Sequence, residues 1–200
     1  MEFKPGDSLS EADMARRLGT SRQPIREAFI KLAETGLLEI APQRGTFVKM
    51  ISSSGVENAR FVRMHIEMAI ARRCCDVASK RDIDQVQALV EAQRQAHRDQ
   101  DQARFIELDD AFHEAIAVGA DCIIAWHLTQ DLKGQMDRVR FLSLPAATPM
   151  KRLINQHQAV ADALAIRDAD AAGEAMQVHL SEMLKSLPVL AKRYAELFTD

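Results

Sequence analysis

Apolar positions along this chain follow two rhythms. Between residues 9 and 47 they mark two short helices, a tight turn and a two-stranded wing; beyond residue 55 they recur at helical spacing. Ser10 is a suitable N-cap, with Asp13 three residues on in the manner of a capping box. Ala12, Met14, Ala15 and Leu18 supply the apolar positions of the first helix, and Gly19 stops it. Ser21 is expected to cap a second helix, with Pro24 in its first turn. Ile25, Ala28, Phe29 and Leu32 fall on one side of that helix, and Arg22, Gln23 and Arg26 on another. After a stop at Gly36, Leu37, Leu38 and Ile40 read as a strand, residues 42–45 as a turn and residues 46–48 as the returning strand.

Strand signals occur only in this wing, and residues 49–55 read as a linker. Helices are then expected over 56–77, with Val62, Ile66, Ala69 and Ile70 as apolar positions, and over 81–98, with Ile83, Val86, Leu89 and Val90. Asp101 would cap a third helix to 118, and Asp121 a fourth reaching 141. Two prolines make 143–149 a loop. A fifth helix spans 150–166, Asp168 opens a sixth through 186, and Pro188 bends or restarts the tail. The fold class is mainly α: a winged helix-turn-helix at 1–50, a linker at 51–55, and an all-α antiparallel bundle of about six helices at 56–200.

Charge sharpens this division. The 200-residue chain has net charge −3, yet residues 16–31 hold five bases and one acid. Residues 1–50 carry eight bases and seven acids, leaving −4 for the remainder, so the helical part is not the nucleic-acid binder. No apolar run is long enough for a membrane span, and residues 1–9 contain no apolar signal-peptide core, so a cytoplasmic protein is expected. Cys74, Cys75 and Cys122 lack metal-site spacing and read as small core or interface residues.

Two helices joined by a glycine-containing turn make a helix-turn-helix, whose second helix places its N-terminal side chains in the major groove. Arginine can pair there with guanine and glutamine with adenine, which fits Arg22, Gln23 and Arg26. The stretch SRQPIREAFIKLAETGLLEIAPQRGTFV resembles the winged helix of GntR-type bacterial transcription regulators. The resemblance implies that Ser21, Arg22 and Arg26 contact DNA, that Arg44 and Gly45 at the wing tip enter the minor groove, and that a homodimer binds a pseudo-palindromic operator. One departure concerns the start. The family has a further helix before the segment matching residues 3–9, so either the start is truncated or the DNA-binding head is less stable than usual.

A second constellation lies in the helical part. Asp109 and His113 share the stripe of Phe105, Leu108, Phe112 and Ile116; His157 joins Leu153, Val160 and Leu164; His179 joins Ala172, Met176, Leu180 and Met183. A carboxylate on an apolar stripe is costly unless paired or metal-bound, and bundles build metal sites from facing helices. Three imidazoles and a carboxylate suit zinc, nickel, manganese or iron, and spacing does not choose among them. LDDAFHEAI, INQHQAVADALAIRDADAAGEAMQVHL and RMHIEMAIA resemble the all-helical ligand-binding domain (FCD type) of the FadR branch of the same family. That resemblance implies a divalent metal, zinc first, on Asp109, His113, His157 and His179, and a small carboxylic or sugar acid as effector. Arginines pair with carboxylates through two hydrogen bonds. Arg63 and Arg138 are the effector-binding candidates by similarity, and Arg140 is a third. A metal-dependent enzyme using the same residues, and a helical adaptor without DNA binding, are the alternatives.

Overall fold

The structure is a computed structural model that describes residues 2–144 and 148–200. The N-terminal head comprises β1 (Ser8–Leu9), α1 (Glu11–Arg17), α2 (Arg22–Glu34), β2 (Leu38–Ala41) and β3 (Gly45–Val48). Its sheet has three strands in the order β1-β3-β2, all antiparallel, so the two expected wing strands gain a third from residues 8–9. Ser10 caps α1 by accepting from the Asp13 N–H. Gly19 (φ +64°) and Gly36 (φ +74°) end the two helices in left-handed turns: Thr20 N–H reaches Ala15 O, and Leu37 N–H reaches Leu32 O. Ser21 occupies the N-cap position of α2 but its hydroxyl makes no cap bond. Ala15, Ile25, Phe29 and Leu38 form the head's small core, while Ala12, Leu18, Ala28 and Leu32 lie on the surface.

The remainder holds seven helices among the described residues rather than six: α3 (Ser53–Val77), α4 (Lys80–Arg98), α5 (Gln102–Gly119), α6 (Ile123–Asp131), α7 (Lys133–Ser143), α8 (Met150–Ala165) and α9 (Ala169–Arg193). The expected fourth helix is split because the ladder slips at Leu132, whose N–H bonds Thr129 O, three residues back. Asp121 does not cap it. At φ +54° it is the left-handed residue closing α5, with Cys122 N–H bonded to Ala117 O. The expected loop at 143–149 starts one residue late, since Ser143 is helical; its residues 145–147 lie outside the described residues.

Two further departures concern the ends of the bundle. Ile51–Ser52 forms β4, which pairs in parallel with β5 (Phe198–Thr199) near the C-terminus, so this part of the expected linker is a strand. Pro188 does not restart the tail, since α9 runs on through it to Arg193. A proline inside a helix costs about 3 kcal/mol. Leu187 and Leu190 beside it are buried against Ile51, Val56, Met136 and Val139, at about 1.5–3 kcal/mol each, which is enough to carry the helix through. The main core runs between α3, α4, α5, α8 and α9, around Phe105, Phe112, Ile116, Val160, Leu164 and Met176.

Candidate functional site

Helix α5 brings Asp109 and His113 into the bundle one turn apart, α8 brings His157 and α9 brings His179. All four are buried, and one ligand atom from each lies within 4.8 Å of the others. His179 Nε2 is 3.2 Å from both His157 Nε2 and His113 Nε2. His157 Nε2 is 3.4 Å from Asp109 Oδ1, and His113 Nε2 is 3.9 Å from Asp109 Oδ2.

Each imidazole has an oxygen behind it. His157 Nδ1 lies 2.7 Å from Gln93 Oε1, His179 Nδ1 3.4 Å from Gln156 Oε1, and His113 Nδ1 2.5 Å from Glu67 Oε2, the last contact short but poorly aligned. Oxygens at Nδ1 hold the proton there and turn the Nε2 lone pairs toward one point. Facing lone pairs repel unless a cation lies between them, and nitrogens bound at ~2.0–2.1 Å to one zinc stand roughly 3.0–3.4 Å apart. The donor set and its spacing therefore fit a divalent transition metal. Burial pushes the His157 pKa down to about 3 and that of His179 well below its ordinary value, so both stay neutral, as a ligand must. Burial alone would raise the Asp109 carboxyl, but the Arg140 guanidinium and the surrounding imidazoles hold it well below the usual carboxylate range.

Beside this centre is a small cavity, with about 50 Å³ open to the centre of a water molecule. Arg63, Arg140, Ser143, Thr148, His179 and Glu182 are among the residues lining it. Arg63 is buried and its Nε donates to Glu67 Oε1 at 2.5 Å, while Nη2 has no hydrogen-bond partner among the described residues. Arg140 lies 3.3 Å from Asp109 and donates to Asp110 Oδ1 and Ile106 O, both at 3.0 Å, so it acts first as a counter-ion. Arg138 does not join them. It bonds the Lys49 carbonyl at 2.5 Å and the Met50 carbonyl at 3.4 Å, because it faces the head rather than the bundle interior. Of the remaining histidines, His65 and His127 are exposed and His97 is half-buried.

Sequence reasoning missed Glu67, Gln93, Gln156, Glu182 and Arg60, the last also on the cavity wall. Gln93 had a visible signal: it continues the buried stripe of Val86 and Val90.

On the head, Ser21, Arg22, Gln23 and Arg26 are exposed at the start of α2, and Arg44 is exposed on the turn between β2 and β3. Arg22 Nη2 lies 3.3 Å from Glu11 Oε2, and Gln23 donates to Glu27 at 2.9 Å. Gly45 has φ +117°, a conformation that side chains disfavour.

Residues 1–48 match the family described as bacterial regulatory proteins, gntR family, and residues 59–182 match the FCD domain. The chain is 40% identical over 196 residues to the HTH-type transcriptional repressor RspR of Escherichia coli K12, covering 98% of this chain and 86% of that protein. It is 31% identical to an uncharacterized HTH-type transcriptional regulator in an unstable DNA locus of Streptomyces ambofaciens, covering 99% and 83% of the two chains. Its fold is similar to the solved structure of E. coli McbR/YncC, with a TM-score of 0.80 at 22% identity over 96% of this chain and 91% of that one. These relatives are named as regulators, not as metal-dependent enzymes. The chain belongs to the GntR family of bacterial transcription regulators, in the branch that carries a helical FCD domain.

Proposed function

We propose that the protein binds a pseudo-palindromic operator as a cytoplasmic homodimer and that a small organic acid, seated at a metal in the helical domain, controls that binding. In this reading residues 1–50 are the DNA-binding head, with Ser21, Arg22, Gln23 and Arg26 on the major groove and Arg44 and Gly45 at the minor groove. Residues 51–55 join it to the effector and dimerisation domain at 56–200. Asp109, His113, His157 and His179 hold the metal, with zinc the first choice.

The observation that carries the proposal is the convergence of these four ligand atoms beside a cavity lined by a buried arginine. A metal there supplies a Lewis-acid seat for a carboxylate or hydroxyl oxygen. Arg63 offers its Nη2, which has no partner among the described residues, to an anionic oxygen, and Arg140 keeps Asp109 ionised. Ser143 and Thr148 add hydroxyls suited to a hydroxylated acid. The cavity's size favours a small acid over a long acyl chain. The name repressor on the 40% identical relative supports repression of transcription by the DNA-bound form.

A thermal-shift screen of sugar acids, hydroxy acids and dicarboxylates tests this on zinc-loaded and chelator-stripped protein. A ligand that binds the native state raises the melting temperature by mass action. The expected result is a hit that disappears on stripping and that weakens operator binding. Hits indifferent to stripping would refute the metal's part in effector binding, and a complete absence of hits would count against the sensor itself.

A further inference from the structure

Glu67 on α3 touches both halves of the proposed site with one carboxylate. Oε1 lies 2.5 Å from Arg63 Nε, and Oε2 lies 2.5 Å from His113 Nδ1. The side chain is 4% exposed. A carboxylate oxygen that close to a ring nitrogen requires a proton on the nitrogen, so Nδ1 carries it and the Nε2 lone pair faces Asp109 and His179. At the other end the guanidinium of Arg63, which lines the cavity, is gripped through Nε, and its Nη2 is buried with no partner among the described residues.

We infer that Glu67 is a positioning residue that fixes the His113 tautomer at the metal end and the Arg63 orientation at the effector end. The inference rests on the regulator reading above and deepens it. The two ends share one rigid joint, so filling either end prepares the other.

Glutamine at this position is the informative change. Its amide has the same size but one acceptor and one donor. Arginine cannot give up its protons, whereas imidazole can switch tautomer. The amide oxygen therefore stays on Arg63 and the NH₂ group turns to His113. That moves the ring proton to Nε2, where it blocks the metal.

The test uses the full chain with zinc alone as the probe, in competition with a chelator, together with ¹⁵N resonances of the histidine rings. Expected results are an unchanged helical circular dichroism spectrum for Glu67→Gln, zinc affinity about 10–100-fold weaker, and a shift of His113 from the Nδ1–H to the Nε2–H tautomer in metal-free protein. A folded Glu67→Gln that binds zinc within twofold of the wild type overturns the inference. So does a wild-type His113 found as the Nε2–H tautomer, a result available even if the variant fails to fold. A wild-type chain that takes up no zinc would refute the metal reading, while the tautomer would still decide the role of Glu67.

Discussion

At the scale of single residues, His157 shows how the core prepares a ligand. Its ring is fully buried and stacks on Phe112 with centroids 4.3 Å apart. Its Nδ1 is held by Gln93, which in turn donates to the Leu108 carbonyl at 3.1 Å. The imidazole is thus fixed in tautomer and direction by residues with no other task at the site. His157→Ala should lower zinc affinity at least tenfold by removing one ligand. It should also destabilise the bundle by about 2–5 kcal/mol, as large-to-small core changes do. Operator affinity of the folded dimer should stay within about twofold, because the head's core is separate. Zinc titration alongside an operator gel shift checks both. A folded dimer that loses DNA but keeps its zinc and effector response would contradict the division of labour.

At the scale of elements, α7 faces two ways. Met136, Arg140 and Ser143 line the cavity proposed for the effector. Gln135 donates to the Gly36 carbonyl at 2.7 Å, Arg138 holds the Lys49 and Met50 carbonyls, and a side chain at Gly134 would meet Leu37 at 3.1 Å. A shift of α7 on effector binding therefore pulls directly on the head. Arg138→Ala should leave zinc uptake and effector-free operator binding near normal. The effect of a thermal-shift hit on operator affinity should shrink at least threefold, read as the ratio of operator Kd with and without the hit. An unchanged ratio would remove α7 from the coupling. This role was not legible in the sequence, because it depends on the break at Leu132 that sets the direction of α7. By contrast, Asp109, His113, His157 and His179 were legible, since each interrupts an otherwise apolar stripe. Glu67 was hidden for the opposite reason. Arg63 and Glu67 stand four residues apart, the spacing of a surface ion pair, while Val62, Ile66, Ala69 and Ile70 supply the apolar positions that the sequence shows on α3. The structure instead buries Arg63, Glu67, Ile70 and Cys74. Two buried charges that satisfy each other disguise a core face as a surface.

At the scale of the whole molecule, one chain offers one recognition helix, whereas a pseudo-palindrome has two half-sites about one helical turn apart. Positive charge is concentrated at residues 16–31 of the head, against a helical body of net −4, a distribution that favours an approach of DNA to the head in the proposed complex. In the proposed dimer each half-site is read by the start of α2, where Arg26 projects from the surface one turn beyond Arg22. A two-pronged arginine–guanine contact discriminates by about 1–3 kcal/mol, roughly 5–150-fold per half-site. Arg26→Ala should therefore lower the ratio of affinities for an operator selected from random DNA and for non-specific DNA by at least that single-site factor. Non-specific binding depends on phosphate neutralisation and should weaken much less, with a slightly shallower salt dependence. Zinc affinity and the melting-temperature response to effector should be unchanged, because Arg26 is exposed on α2 of the head, whereas the proposed ligands are buried on α5, α8 and α9. Competition gel shifts at two salt concentrations measure all of this on the intact protein. An Arg26→Ala dimer that still separates its operator from random DNA as well as the wild type would mean that sequence is read elsewhere, at the wing or through the shape of the DNA, and that α2 only docks on the backbone.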